Sequence, residues 1–352
     1  MNIRPLDGSR AQEAKQVWKT CFGDSDAFID RYFKSFVQYE RTLGCYEGGK
    51  LLADLFMLPF CGKLQGRLYE ADFLAGCATL PEARKQGLMR RLVREAMLDM
   101  KKRGRVVTYL HPFLHAFYRQ FGYETVAYVR RESMKPRRTN GDGDMARIDT
   151  AFQDVPVRRM FDAYGKYIAR FDNAFVRTEE RFEGWLRLLF ADGGCCATLA
   201  GTDTCAYALY YMEGDIAEVF ELVCAEEAQR QHLLDAIPAE TVNYFLPATN
   251  DTGGEEEFTM MRVLDPAAVL TGLVLKKDRF TVAVADPFLG EDYLFEIIAA
   301  DGQKNRVEPF AGSPDIALSI SEFAKAAAGA FPADDICADF FQRQTAVFFE
   351  TY

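Results

Sequence analysis

Four consecutive residues, Arg84-Lys85-Gln86-Gly87, stand between an apolar strand-like segment and a strongly amphipathic helix. The strand-like segment runs Phe73-Leu74-Ala75-Gly76-Cys77-Ala78-Thr79-Leu80 and stops at Pro81. Leu88, Leu92, Val93, Ala96, Met97 and Met100 then recur at helical spacing, with Arg90, Arg91, Arg94, Glu95, Asp99 and Lys101 on the other face. A helix start exposes N–H groups that have no intrahelical acceptor, and its dipole favours negative charge there. Arginines in the first turn oppose that dipole by about 0.3–1 kcal/mol per charge unless an anion sits beside them. Strand, basic glycine-bearing loop and helix together make a device for holding a diphosphate.

The elements around this device follow from periodicity and punctuation. Helices are expected over 10–20 and 25–38, with Asp24 and Ser25 as candidate N-caps. Residues 42–47 and 51–59, joined through Gly48-Gly49, read as a hairpin. A short buried strand at 106–110, a short helix at 113–121 closed by Gly122, and a strand at 123–132 complete a first unit, residues 1–135. The polar, glycine-bearing stretch 136–150 reads as a linker. A central unit, 151–265, shows helices at 157–170, 178–190 and 226–236 and strands at 195–200, 204–212 and 216–222. From 266 to 352, strands at 279–286 and 293–299 precede helices near 321–329 and 333–342. Alternation of this kind predicts an α/β (α+β) chain.

At 352 residues the chain is too long for one ordinary core, which agrees with several units. The 49% apolar and 27% charged composition is that of a soluble globular protein, and no apolar run is long enough to span a bilayer. The N-terminus lacks an apolar signal-peptide core, so a cytoplasmic location is expected. The 9 cysteines, an odd number with no C-x-x-C pair, fit reduced thiols. Charge is unevenly spread: residues 1–135 hold 23 Lys and Arg against 15 Asp and Glu, leaving 19 of the 42 basic and 37 of the 52 acidic residues to the remainder. That asymmetry suits either an anionic ligand with a cationic one nearby, or attraction between the two halves. His111 and His115 have metal-like spacing, but Pro112 lies between them and no third ligand is evident, so no metal is expected.

The pattern Arg84-x-x-Gly87-x-Met89 resembles the acyl-CoA loop of the GCN5-related N-acetyltransferases (GNAT), with Met89 in place of their final small residue. The fuller string from Pro81 to Leu92 is similar to the R-R-G-L-L-R variant of the enhanced-intracellular-survival (Eis) branch. His111 to Tyr123 resembles that branch's F-Y-x-x-F-G-Y segment, and the aromatic C-terminus Val347-Phe348-Phe349-Glu350-Thr351-Tyr352 also fits. The resemblance implies a GNAT fold with a mixed sheet flanked by helices, then a second GNAT-like domain without a cofactor motif. A sterol-carrier-protein-like (SCP2-like) α+β domain follows.

By the same resemblance acetyl-CoA is the co-substrate. Cys77, Ala78 and Thr79 run beside its pantetheine arm. Arg84, Lys85, Gln86, Gly87, Leu88, Met89 and Arg90 surround its diphosphate. Tyr118 matches the general acid for the departing thiolate, a role a phenol protonated at neutral pH can fill. Tyr352 occupies the position whose terminal carboxylate serves as base or base relay. Asp24, Asp26 and Glu350 are candidates to gather a cationic amine, with Trp18, Phe22 and Phe33 as candidate walls. The expected acceptor is a small-molecule or peptide amine: an aminoglycoside-like polycation, a polyamine, or a lysine side chain. The family also implies a homo-oligomer such as a hexamer. No nucleic acid or membrane partner is expected.

Two other readings remain. A tandem-GNAT aminoacyltransferase would use charged tRNA, against which stand the basic loop and the lack of basic patches past residue 150. A non-catalytic protein binding CoA or an apolar ligand would more naturally have lost Tyr118 or the Arg84-x-x-Gly87 loop, and both are present.

Overall fold

The computed structural model describes residues 1–137, 146–200, 205–248, 255–300, 304–348 and 350. Among them the chain builds three sheets with helices packed on their faces, the mixed α/β class expected. The first sheet runs, in spatial order, through strands Asn2–Pro5, Thr42–Glu47, Lys50–Leu64, Arg67–Thr79, Val107–Leu110, Met260–Val263 and Glu124–Thr125. Two short strands, Asn173–Phe175 and Ala346–Val347, extend it beside Lys50–Leu64. The expected helical stripe is the buried face of Leu88–Lys102: all six apolar positions lie against Ala53, Leu55, Met57 and Leu74. Helices Ala11–Phe22 and Asp26–Ser35 cover the opposite face with Trp18, Tyr32 and Phe33 around Phe56. Ser25 is the N-cap of the second of these, its hydroxyl accepting from the Phe28 N–H at 3.1 Å.

The expected single strand at 123–132 is split. Glu124–Thr125 stays in the first sheet, while Tyr128–Met134 crosses into the second and pairs with Thr241–Ala248. In return Met260–Val263, from beyond the second sheet, inserts between Val107–Leu110 and Glu124–Thr125. Cutting the chain at 135 or 265 would therefore part strands from the segments that return to pair beside them. The second sheet holds seven strands, and Arg147–Asp149 at its edge pairs with Cys196–Thr198. The middle of the expected linker lies outside the described residues.

The third sheet has four strands in the order Arg306–Pro309, Glu291–Ile298, Arg279–Asp286, Ile316–Ser319, followed by helix Ile320–Ala327 with a full capping box on Ser319 and Glu322. The helix expected near 333–342 is only a 3-10 turn, Ile336–Asp339. Asp335 caps it and Phe341 is drawn into a bridge with Leu275. No described helix is long and apolar enough to cross a membrane.

Buried charge pairs tie the units together. Arg262, on the inserted strand and wholly buried, donates to the Phe121 carbonyl at 2.9 Å and to Asp286 at 2.5 Å. Arg177 is likewise buried between Glu221, at 2.8 Å, and Glu350, at 2.6 Å. Glu350 thereby fastens the C-terminal segment, whose Phe348 packs on Phe175 and Tyr109. Removing one partner of such a group leaves uncompensated charge in the interior. Arg177→Met should lower unfolding free energy by about 3–5 kcal/mol in urea titrations. Neutralising both carboxylates in that background, with Glu221→Gln and Glu350→Gln, should return part of the loss. A drop below about 1 kcal/mol would mean that water already shares this charge.

Candidate active site

The site starts from a divergence of two strands. Arg67–Thr79 pairs in parallel with Val107–Leu110 only through Asp72 and Phe73, opposite Thr108 and Tyr109. From Leu74 to Thr79 that edge faces no strand among the described residues, so its backbone groups border a cleft. A bulge against Lys50–Leu64 sits at the same place, where the register shifts between Asp54 and Phe56. Gly76 makes the bend. It has φ +54°, and a Cβ there would come within 2.5 Å of both Phe56 and Trp18, so only glycine fits.

The first cleft, of about 720 Å³, lies along the freed edge. Cys77, Ala78, Thr79, Arg84, Lys85, Gly87, Leu88, Met89 and Arg90 line it, so all the expected donor-site residues meet there except Gln86, whose amide approaches the Glu82 carbonyl. Gly87 holds the N-cap position with φ +73° and no side chain caps the helix, so the first-turn N–H groups open towards the cleft. Lys85 also has a positive φ, 63°. Alternating backbone of this kind turns successive N–H groups to one side as an anion-binding nest. The Arg84, Lys85 and Arg90 side chains make no ion pair among the described residues; Arg84 instead donates to the Thr79 carbonyl at 3.1 Å. Arg90 lies over the ring of Phe288, 5.0 Å from its centroid, and Phe288 also packs on Phe121, another residue of the cleft wall. A turn of the third unit thus supports the first cleft from outside.

A second cleft, of about 480 Å³, opens on the other side of Cys77. Phe22, Cys77 and Phe113 belong to both clefts, and Tyr118 lines the second. The Tyr118 hydroxyl and the Cys77 thiol lie close enough to interact. Burial holds the Tyr118 phenol above its usual range, and burial pushes the Cys77 thiol up to about 12. Both groups stay protonated near neutrality. Asp24 is in this second cleft, where its carboxylate accepts from the Trp18 indole at 2.7 Å.

The other expected acceptor residues lie elsewhere. Asp26 is exposed and paired with Lys19 at 2.6 Å, Phe33 is in the core against Trp18 and Phe56, and Glu350 is committed to Arg177. Tyr352 lies outside the described residues.

The sequence did not single out four residues of the second cleft. His111 had only its metal-like spacing to His115 to draw attention, and Pro112 and the lack of a third ligand set that reading aside. No metal-ligand cluster forms among the described residues. Burial, then the neighbouring His115, lowers His111 to about 4, and its Nδ1 is buried with no hydrogen-bond partner among the described residues. Trp185, Tyr211 and Phe220 come from the second unit, and no local pattern marks them.

Residues 2–126 match the Acetyltransferase (GNAT) domain family. That match falls within the N-terminal part of the chain. An uncharacterized N-acetyltransferase of Streptomyces avermitilis is 24% identical over 160 residues, covering 42% of this chain and 38% of that protein's length. Three solved structures share the fold along the whole chain. A probable N-acyltransferase of unknown function from Enterococcus faecalis V583 has a TM-score of 0.80 at 15% identity, covering 100% of this chain and 99% of that one. A GCN5-related N-acetyltransferase from Kribbella flavida has 0.77 at 20%, covering 100% and 98%. Eis1 from Mycobacterium abscessus has 0.75 at 15%, covering 100% of both.

The buried His111 makes stability depend on pH in a definite direction. Its folded pKa, about 4, is below the unfolded value of about 6.5, so the unfolded chain takes up the proton first. The stability due to its neutral form is whole above pH ~6.5 and drains away as pH falls towards ~4, by roughly 3 kcal/mol in all. Denaturant titrations from pH 7 to 4 should show that slope in the wild type, and a shallower one in His111→Gln. Identical slopes would mean that His111 is solvated in the folded protein.

Proposed function

We propose that this chain is an N-acetyltransferase that moves an acetyl group directly from acetyl-CoA to a bound amine. The observation that carries the reading is Tyr118, a buried, protonated phenol on Cys77, where the donor and acceptor clefts meet. The donor cleft fits an acyl-CoA in each of its parts. Uncapped N–H groups and the Arg84, Lys85 and Arg90 side chains suit a diphosphate, and the freed edge Leu74 to Thr79 offers backbone hydrogen bonds to the amides of the pantetheine arm.

The transfer balances as follows. The acceptor ammonium loses a proton, its nitrogen attacks the thioester carbonyl, and a C–N bond forms as the C–S bond breaks. The leaving thiolate takes the Tyr118 proton, and one of the two protons shed by the amine restores the phenol. The other goes to solvent. His111, neutral above pH ~4, adds no charge to repel the arriving ammonium, and its open Nδ1 can accept an N–H from it. Near-attack geometry and a placed acid are the contributions asked of the protein. The three-unit layout supports placing the chain in the Eis-like branch, with the four-stranded unit as its sterol-carrier-like domain.

Tyr118→Phe should lower kcat by about 10²–10⁴ while leaving the KM for acetyl-CoA nearly unchanged. Since burial raises the Tyr118 pKa, the wild-type rate should climb with pH as the amine deprotonates. No falling limb from this phenol should appear below pH ~10. Full turnover in Tyr118→Phe would remove the acid from the mechanism. No thiol release with any amine, together with no thermal stabilisation by acetyl-CoA, would favour a non-catalytic binding protein.

A further inference from the structure

The third unit meets the first cleft at its basic end. The turn at 286–290 joins strands Arg279–Asp286 and Glu291–Ile298 and packs along helix Leu88–Lys102. Phe288 and Leu289 are buried in one cluster with Leu88 and Leu92. The Arg90 guanidinium lies over the Phe288 ring, 5.0 Å from its centroid, and the same ring packs on Phe121 at 5.2 Å. Arg90 and Phe121 both line the first cleft. Near the other end of the helix, Lys101 pairs with Glu291 and donates to the Tyr293 hydroxyl at 3.3 Å.

The turn is itself held in place. The Asp286 carboxylate accepts from the Leu289 N–H at 3.2 Å, and the Gly290 N–H donates to the Asp286 carbonyl at 2.9 Å. The second oxygen of that carboxylate accepts from Arg262, whose Nε donates to the Phe121 carbonyl at 2.9 Å. Beside it Gly122 has φ +83°, and a Cβ there would come within 2.7 Å of Ile320 and 2.9 Å of Arg262. Glycine at this point lets helix Ile320–Ala327 and Arg262 approach the cleft wall closely. Turn, buried arginine and helix converge on Phe121 and Gly122, and the turn reaches on to Arg90.

A long arginine side chain loses rotamer freedom when it grips a ligand. A ring that already holds the guanidinium removes part of that loss before the ligand arrives. The ring attracts the cation without a hydrogen-bond acceptor, so guanidinium N–H groups remain to donate to phosphate oxygens. We propose that the third unit sets how tightly the first cleft holds an acyl-CoA, with Phe288 as a positioning residue that presents Arg90 to the diphosphate. This rests on the acyl-CoA reading of that cleft and deepens it. Such coupling is reciprocal, so a bound donor must in turn steady the turn at 286–290.

The test is calorimetric titration of CoA into the purified full chain at fixed salt, with acetyl-transfer rates recorded in parallel. Phe288→Leu keeps an apolar side chain against Phe121 but removes the ring, and it should raise the Kd for CoA by about two- to fivefold. Phe288→Tyr keeps the ring and should bind CoA as the wild type does. The kcat at saturating acetyl-CoA should be unchanged in both, the effect of Phe288→Leu falling on the KM for the donor. In an Arg90→Ala background, Phe288→Leu should make no further difference. Unchanged CoA affinity in Phe288→Leu overturns the proposal and leaves the acetyltransferase intact. So does an equal loss with and without Arg90. In the wild type, CoA should slow amide exchange at Leu289 and Gly290 more than at Arg306, Val307 and Glu308 on the edge of the same sheet, and equal slowing also overturns it. Failure of the wild type to bind CoA at all would instead remove the parent reading.

Discussion

Everything at the site depends on two neighbouring strands parting after Phe73 and Tyr109. A sheet does not open of its own accord, because each unpaired backbone group must find water or a ligand. Here the last paired register is pinned and the next residues are steered away. Asp72, fully buried at that register, is held by Arg41 at 3.1 Å, Arg103 at 2.8 Å and Arg105 at 3.6 Å. The Thr108 hydroxyl donates to the Asp72 carbonyl at 2.7 Å. Four residues after Asp72, the left-handed backbone of Gly76 and the rings of Phe56 and Trp18 bend the strand beside Cys77 and Tyr118. The pinned register and the bend together define where both clefts begin.

The units that surround this opening are not independent beads. Tyr128–Met134 leaves for the second sheet and Met260–Val263 comes back to the first, so each sheet is closed by chain from the other side. Arg262 lies on the returning strand and pairs with Asp286, and Arg177, just after the strand Asn173–Phe175, pairs with Glu221 and Glu350. A buried pair of this kind contributes little net stability but penalises any arrangement that separates its partners. That property suits a protein whose first cleft is supported by a turn of the third unit and whose second cleft is walled by residues of the second.

What could be read from the sequence was local. The loop Arg84 to Gly87 and the stripe from Leu88 to Met100 declare themselves within twenty residues, through a glycine before a helix and a 3.6-residue period. Ser25 as a cap and the hairpin after Thr42 are local in the same sense. The strand exchange was hidden because pairing partners more than a hundred residues apart leave no periodic trace. The residues 123–132 look like one strand although their two parts serve different sheets. Carboxylates were misplaced for a related reason. Nothing in the type or spacing of Asp26 and Glu350 tells a ligand-gathering group from one already paired with Lys19 or Arg177. His111 was visible only as half of a metal-like pair, and its buried, unprotonated state is a property of packing.

The uneven charge of the chain gains meaning from these placements. Attraction between the two parts accounts for some of these residues, and others are left over. Arg119 with Glu257, Arg131 with Glu218 and Lys101 with Glu291 join the first part to later segments. Arg84, Lys85 and Arg90 enter no such pair among the described residues and stand around uncapped helix N–H groups. Solvent-exposed pairs add little stability, so it is the unspent charges that shape the field at the mouth of the donor cleft. On the far side of Cys77 the second cleft is lined by the carboxylate of Asp24, close enough to Asp192 to act on it electrostatically. In the proposed reaction an anion and a cation would be drawn to opposite sides of one thiol, with the buried, protonated Tyr118 beside it.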